Sequence, residues 1–136
     1  VKTRLSDKVL AQMKRMTDET KDNKNGVFNI CLNYGGQDEI VEATKKICKD
    51  VSDGNLNIDD INSKMYNKYL FNDLPPIDLM IRTSGEYRIS NFMLWQLAFS
   101  ELYFTDTLWP DFTNEDLDEA IESFNNRDRR FGAVKK

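Results

Sequence analysis

The fold class to expect from this chain is α/β, a partial, mostly parallel sheet flanked by helices. Three observations point there. Two short, mostly apolar runs, 27–34 with its β-branched and aromatic residues and 77–81, have the length of buried strands. The segments around them repeat apolar residues at helical spacing. The first run stops at Gly35-Gly36 and passes straight into such a helical pattern, and strand, glycine pair and helix in succession are half of a βαβ unit.

Each element follows from its local sequence. Leu5, Val9, Met13 and Met16 stand at helical spacing behind a cap at Ser6, and the pattern dissolves in the polar run Lys21-Asp22-Asn23-Lys24-Asn25-Gly26. The strand over 27–34 comes next. From Asp38 one helical face is formed by Ile40, Thr44, Ile47 and Val51, with Val41 and Cys48 beside it, and it ends near Asp53-Gly54. Asn57 is placed to cap a second helix that turns Ile58, Ile61, Met65 and Tyr69 inward. Pro75-Pro76 then forces an extended entry to the strand over 77–81. Arg82-Thr83-Ser84-Gly85 turns the chain. Residues 92–99 are apolar at every position but Gln96, which predicts a buried central helix opened by Ser90 and Asn91 and carrying Glu101. A loop or short strand over 105–112 holds Trp109-Pro110. Thr113-Asn114-Glu115-Asp116 has the form of a capping box for a last helix with Leu117, Ala120, Ile121 and Phe124 on its face.

Composition works by exclusion. The 23 acidic residues outnumber the 19 basic ones, so the chain lacks the electrostatic footprint of a nucleic-acid binder. Hydrophobic residues at 40% and charged residues at 31% give a globular composition. No run has the length of a membrane span and the start is no signal peptide, so a cytosolic site of action is expected. Cys31 and Cys48 read as reduced core thiols. With no histidine in the chain, Ser-His and Cys-His nucleophilic catalysis and most zinc sites are excluded. Chemistry must run on carboxylates, arginines, hydroxyls and backbone amides, with or without a hard cation.

The most informative stretch is 78–111. In open α/β sheets ligands sit at the carboxyl ends of strands, and Arg82, Thr83, Ser84 and Gly85 occupy that position. Arg88 and Ser90 follow closely. Two guanidiniums, a hydroxyl and the free N–H groups of a helix start have the composition of a phosphate or diphosphate pocket. The bland alternative is that Arg82 and Arg88 pair with Asp78 or Glu86 and Ser90 is only a cap. Glu101, in an apolar context, needs a cation, either an arginine partner or Mg²⁺, which takes one or two carboxylates together with waters and phosphate oxygens. Phe92, Trp95, Phe99, Tyr103, Phe104 and Trp109 could line a hydrocarbon channel or simply form core. The basic tail from Arg127 to Gly132 could reach an anion across a subunit boundary or lie on ordinary surface.

The run from Asp78-Leu79-Met80-Ile81-Arg82-Thr83-Ser84-Gly85-Glu86-Tyr87-Arg88-Ile89-Ser90-Asn91-Phe92 through Glu101-Leu102-Tyr103-Phe104 to Leu108-Trp109-Pro110-Asp111-Phe112 closely resembles the signature of the cis-prenyltransferases. Asn33-Tyr34-Gly35-Gly36 with Glu39-Ile40 resembles a second motif of that family. Arg129-Arg130-Phe131-Gly132 resembles its C-terminal Arg-x-Gly element. The resemblance implies the C-terminal half of that family's fold over 1–136. It also implies Mg²⁺-dependent condensation of isopentenyl diphosphate onto an allylic diphosphate such as farnesyl diphosphate, making undecaprenyl diphosphate for the cell-wall lipid carrier.

By the same resemblance Arg82, Arg88 and Ser90 match the binders of the isopentenyl diphosphate group. Glu101 matches the Mg²⁺-binding glutamate, contributed across a homodimer interface, and Arg130 and Gly132 match the element that closes over the diphosphate. Two departures stand out. Gln37 occupies the place of the family's usual arginine, and the family's Asp-Gly-Asn-Gly-Arg motif is absent. The chain is therefore expected to be part of a longer enzyme and not to turn over by itself, its start at Val1 fitting a processed or truncated product. The alternatives are a non-catalytic partner subunit of the same superfamily and a stand-alone phosphate-binding module.

Overall fold

The computed structural model describes residues 5–128, which fall into two units divided between Gly35 and Gly36, each described by itself. The first unit is built on α1 (Asp7–Thr20), where the helical spacing expects it; Ser6 stands at its cap without lending its side chain. Ion pairs four residues apart, Lys14–Asp18 and Arg15–Glu19, line its surface, and none of its residues is buried.

The strand expected over 27–34 is not formed. A strand exists only as a member of a hydrogen-bonded ladder, and among the described residues the one ladder joins two later segments. Val27 and Phe28 keep 84% and 86% of their surface exposed, so the apolar character that predicted a buried strand meets no core here.

The second unit begins with α2 (Gly36–Ser52), whose buried stripe is Gly36, Glu39, Ala43 and Ile47. That stripe is rotated from the expected one. Ile47 is inside, but Val41 and Cys48 are exposed, so Cys48 is not a core thiol. Close approach is the reason: a Cβ on Gly36 would lie 2.8 Å from Leu94 Cγ, and the helix turns its small residues inward to admit that segment. The helix ends as expected, with Gly54 left-handed at φ +74° and its N–H bonded to the Val51 carbonyl at 3.1 Å.

The helix expected from Asn57 breaks into two pieces. Asn57 caps a 3-10 turn, Ile58–Asp60, by accepting the Asp59 N–H. Asn62, extended at φ −144°, then interrupts the chain and caps the short α3 (Ser63–Asn67) by accepting the Met65 N–H.

The sheet is a parallel pair, β1 (Leu79–Arg82) and β2 (Glu101–Phe104), in the register Leu79↔Glu101 to Arg82↔Phe104. Glu101 is thus on a strand and not on a helix. Its N–H bonds the Asp78 carbonyl at 2.9 Å, and Thr105 N–H bonds the Arg82 carbonyl at 3.0 Å, extending the ladder at both ends. Residues 83–100 have the length a parallel crossover needs, yet the helix predicted over 92–99 is replaced by consecutive turns. Ser90, Asn91 and Met93 sit at φ +48°, +61° and +44°, left-handed values that a right-handed helix does not admit. Met93, Gln96 and Leu97 are buried while Phe92 and Phe99 are exposed, so the segment is half-buried rather than central.

After a 3-10 turn, Trp109–Asp111, the unit closes with α4 (Asn114–Asn125). Its capping box forms as expected: Asp116 N–H bonds Thr113 Oγ1 at 3.3 Å, and Thr113 N–H bonds Asp116 Oδ2 at 2.8 Å. Ala120 is fully buried, but Leu117 and Ile121 remain exposed. Ala43, Ile47, Leu70, Met80, Met93, Leu97 and Ala120 make the core. Within it lies one carboxylate, Glu39, which accepts the Phe71 N–H at 3.0 Å and the Gln96 amide at 3.1 Å. No helix of the described residues is long and apolar enough to cross a membrane.

Candidate functional site

β1 delivers Arg82 to its carboxyl end, as the strand reading expects. The turn beyond is left-handed at Ser84 (φ +70°) and Gly85 (φ +65°), and it is strapped to the chain after β2. Ser84 N–H bonds the Thr107 carbonyl at 2.9 Å and Gly85 N–H bonds the Thr105 carbonyl at 3.0 Å. A side chain on Gly85 would press a Cβ to 3.1 Å from Asp106 Oδ1, the same oxygen that accepts the Tyr87 hydroxyl at 3.4 Å. Among the described residues, four of the five non-glycine left-handed positions fall within 84–93. Each costs of the order of 1 kcal/mol, and such strain concentrates where a chain is held for function.

Arg82 is half-buried and lines a cavity of about 650 Å³ with Ile81, Thr83, Ser84, Trp109, Phe112 and Leu117. Its guanidinium makes no ion pair with any described residue. A charged group opposite apolar walls suits an amphiphile with an anionic head and a hydrocarbon body.

The other predicted residues do not line this cavity. Arg88 is exposed and paired with Glu86, as the bland alternative foresaw. Ser90 is exposed, and no helix starts there, so the free N–H groups expected from that start are missing. Asn91 instead caps a different helix. Its carbonyl accepts Gly36 N–H at 2.7 Å and its Oδ1 accepts Gln37 N–H at 2.9 Å, which occupies the first two donors of α2. Arg130 and Gly132 lie outside the described residues. Of the aromatic set, Trp95 stacks on Tyr66 with centroids 4.5 Å apart, while Phe92, Phe99 and Trp109 are exposed.

Glu101 stands at the far end of the ladder. It is in register with Leu79, whereas Arg82 is in register with Phe104, so the two are about 10 Å apart along the strands. Three residues of separation also send them to opposite faces of the sheet. One chain therefore does not gather Arg82 and Glu101 into one site. Glu101 Oε2 accepts Arg127 Nη1 at 3.0 Å, and the same nitrogen donates to the Leu102 carbonyl at 2.9 Å. Its other oxygen, Oε1, accepts no hydrogen bond from a described residue.

For a divalent cation, the described residues contain no cluster of three ligating side chains. A single carboxylate with one oxygen open does fit Mg²⁺, which keeps several waters and completes its shell with phosphate oxygens.

Sequence reasoning missed the cavity walls Phe112 and Leu117, which come 30 and 35 residues after Arg82. Phe112 belongs to an apolar stretch around Trp109-Pro110 with no helical or strand period, and Leu117 was readable only as one position on the face of the last helix.

Comparison with known proteins adds to this geometry. A family model described as "Putative undecaprenyl diphosphate synthase" matches residues 1–132. An isoprenyl transferase of Fusobacterium nucleatum is 49% identical over 98% of this chain and 56% of its own length. The Acinetobacter baylyi enzyme named ditrans,polycis-undecaprenyl-diphosphate synthase, farnesyl-diphosphate specific, is 45% identical over 96% of this chain and 53% of its own. Among solved structures, lavandulyl diphosphate synthase from Lavandula x intermedia, in complex with dimethylallyl diphosphate, superposes with a TM-score of 0.91 at 40% identity, covering 96% of this chain and 57% of that one. The chain spans about half the length of the curated relatives it matches.

Proposed function

Since the chain belongs to the undecaprenyl diphosphate synthase family, we propose that it supplies the isopentenyl diphosphate side of a cis-prenyltransferase site. The reaction joins isopentenyl diphosphate to an allylic diphosphate such as farnesyl diphosphate. A carbon–carbon bond forms at the allylic carbon, the bond to its diphosphate breaks, and the isopentenyl unit gives up a proton; repetition makes undecaprenyl diphosphate for use as a cell-wall lipid carrier.

The observation that carries this reading is Arg82, a guanidinium without an ion pair among the described residues, at the carboxyl end of a parallel strand and facing apolar walls. Arg82 holds the isopentenyl diphosphate group, and Trp109, Phe112 and Leu117 receive its hydrocarbon and exclude water. By the family resemblance Arg88, on giving up Glu86, and Ser90 are further donors to this diphosphate from outside the cavity wall, and Arg130 and Gly132 are assigned to the same anion. Glu101 would hold Mg²⁺ in part, and the cation would supply charge neutralisation at the diphosphate. Because Glu101 and Arg82 point to opposite faces of one sheet, the complete site takes Glu101 from a second copy, which makes a homodimer the working unit.

Calorimetric titration of isopentenyl diphosphate tests this. Arg82→Ala is expected to weaken binding at least about tenfold, the loss of one charge-assisted contact. Equal affinity in both proteins would remove Arg82 from the site. The 136-residue chain by itself is expected not to sustain condensation, since it spans only 56% of the length of its Fusobacterium nucleatum relative and the reading assigns the allylic side to the remainder. Steady incorporation of labelled isopentenyl diphosphate by it would overturn that division.

A further inference from the structure

Arg127 has no part in the reaction above, yet it holds the carboxylate that the reading assigns to the cation. From just past the end of α4 it reaches back to β2, and one nitrogen, Nη1, donates both to Glu101 Oε2 at 3.0 Å and to the Leu102 carbonyl at 2.9 Å. The two side chains are 35% and 27% exposed, less than those of the surface pairs on α1. It joins the end of one element to the start of another, 26 residues away in sequence, unlike the short-range surface pairs of α1.

A carboxylate can serve a guanidinium and a divalent cation together only if two like charges lie within roughly 6 Å of each other, where their repulsion is strong near a protein surface. We infer that Arg127 is an internal competitor for the cation at Glu101: it occupies the carboxylate when cation and diphosphate are absent, and gives it up when they arrive. The diphosphate makes the exchange workable. As an anion it offers the displaced guanidinium new acceptors at the moment it brings oxygens to the cation. Cation and diphosphate are thereby coupled, and neither is held well alone. This rests on the reading of Glu101 as the cation ligand. Arg127 is a positioning residue here, since it acts through Glu101.

Binding of Mn²⁺ alone to the 136-residue chain, followed by the electron paramagnetic resonance signal of the free ion, tests the inference. Arg127→Gln is expected to bind Mn²⁺ at least about tenfold more tightly than the native chain, because the competing charge is gone. Arg127→Lys keeps the charge and is expected to stay within about threefold of native. A purely structural role for Arg127 would move both variants alike. Arg127→Met, which keeps the apolar stem, repeats the test if the glutamine variant unfolds. The double variant Glu101→Gln, Arg127→Gln separates the two ideas. If it loses the gain, the cation was on Glu101; if the gain persists, the assignment of Glu101 itself fails. No gain in Arg127→Gln or Arg127→Met overturns the competition whatever Glu101 does.

Discussion

Residues 92–99 and 114–125 carry apolar side chains at spacings that both suit a helix, but only the second becomes one. At α4 the start signal is complete: Thr113 and Asp116 satisfy each other's backbone donors, and no residue in the segment needs an unusual φ. At 92–99 the entry is spent elsewhere. Asn91 gives its carbonyl and its side chain to the start of α2, Met93 is left-handed, and Gln96 is drawn inward to the buried Glu39. A helix with its own cap follows its sequence. A segment recruited to cap and fill another element follows its neighbours.

The largest way to break this contrast is to remove the carboxylate that draws the segment in. Glu39→Ala leaves the Phe71 N–H and the Gln96 amide without their acceptor and is expected to cost about 3 kcal/mol. A lowered urea midpoint measures it, and Trp95, beside Gln96, reports the local loosening by fluorescence. An unchanged midpoint would mean that Glu39 does not seat the segment.

Gly36→Ala sharpens the contrast because its sign is diagnostic. At the start of an unhindered helix the change would be neutral or stabilising, by at most about 1 kcal/mol. Here the new Cβ would meet Leu94 Cγ at 2.8 Å and Leu94 N at 3.0 Å, so a net loss of about 2 kcal/mol is expected in thermal unfolding. Stabilisation would show that residues 91–94 do not press on α2.

The smallest test concerns α4. Thr113→Ala is expected to cost about 1 kcal/mol and to fray the helix in circular dichroism. The same cap makes the helix acid-sensitive. Asp116 is held below the ordinary 3.8 of an aspartate, first by the Thr113 N–H and then by its hydroxyl. A lowered folded-state value means that this stability is present above 3.8 and is lost as pH falls through the lower value. Asp116→Asn should therefore shrink the difference in stability between neutral pH and about pH 3. An undiminished difference would place the acid response elsewhere.

Much of the fold was legible where the signal was local. α1 and the α4 capping box are where periodicity and caps put them, α2 starts two residues before the expected Asp38, and β1 forms over 79–82 where 77–81 was expected. The strand over 27–34 failed because pairing is a property of two segments, and the described residues offer 27–34 no ladder. Glu101 was misplaced on a helix because nothing in its own neighbourhood reveals that Asp78 accepts its N–H. The site divides in the same way. Arg82 at a strand end and Arg88 beside Glu86 were both readable, while Phe112 and Leu117 opposite Arg82 were not. For Glu101 the sequence required a cation and left arginine and Mg²⁺ open; folding placed Arg127 on one oxygen and left the other free of described partners.

By itself the sequence determined which residues carry charge in an apolar setting, which elements can start and stop unaided, and to which family the motifs point. These depend on neighbours within a turn or a strand length. Tertiary structure alone decided that Asn91 caps α2, that 92–99 gives up a helix, and that Arg82 and Glu101 face away from each other. Those outcomes are set by contacts between distant residues, whose free energy exceeds the local preferences they override.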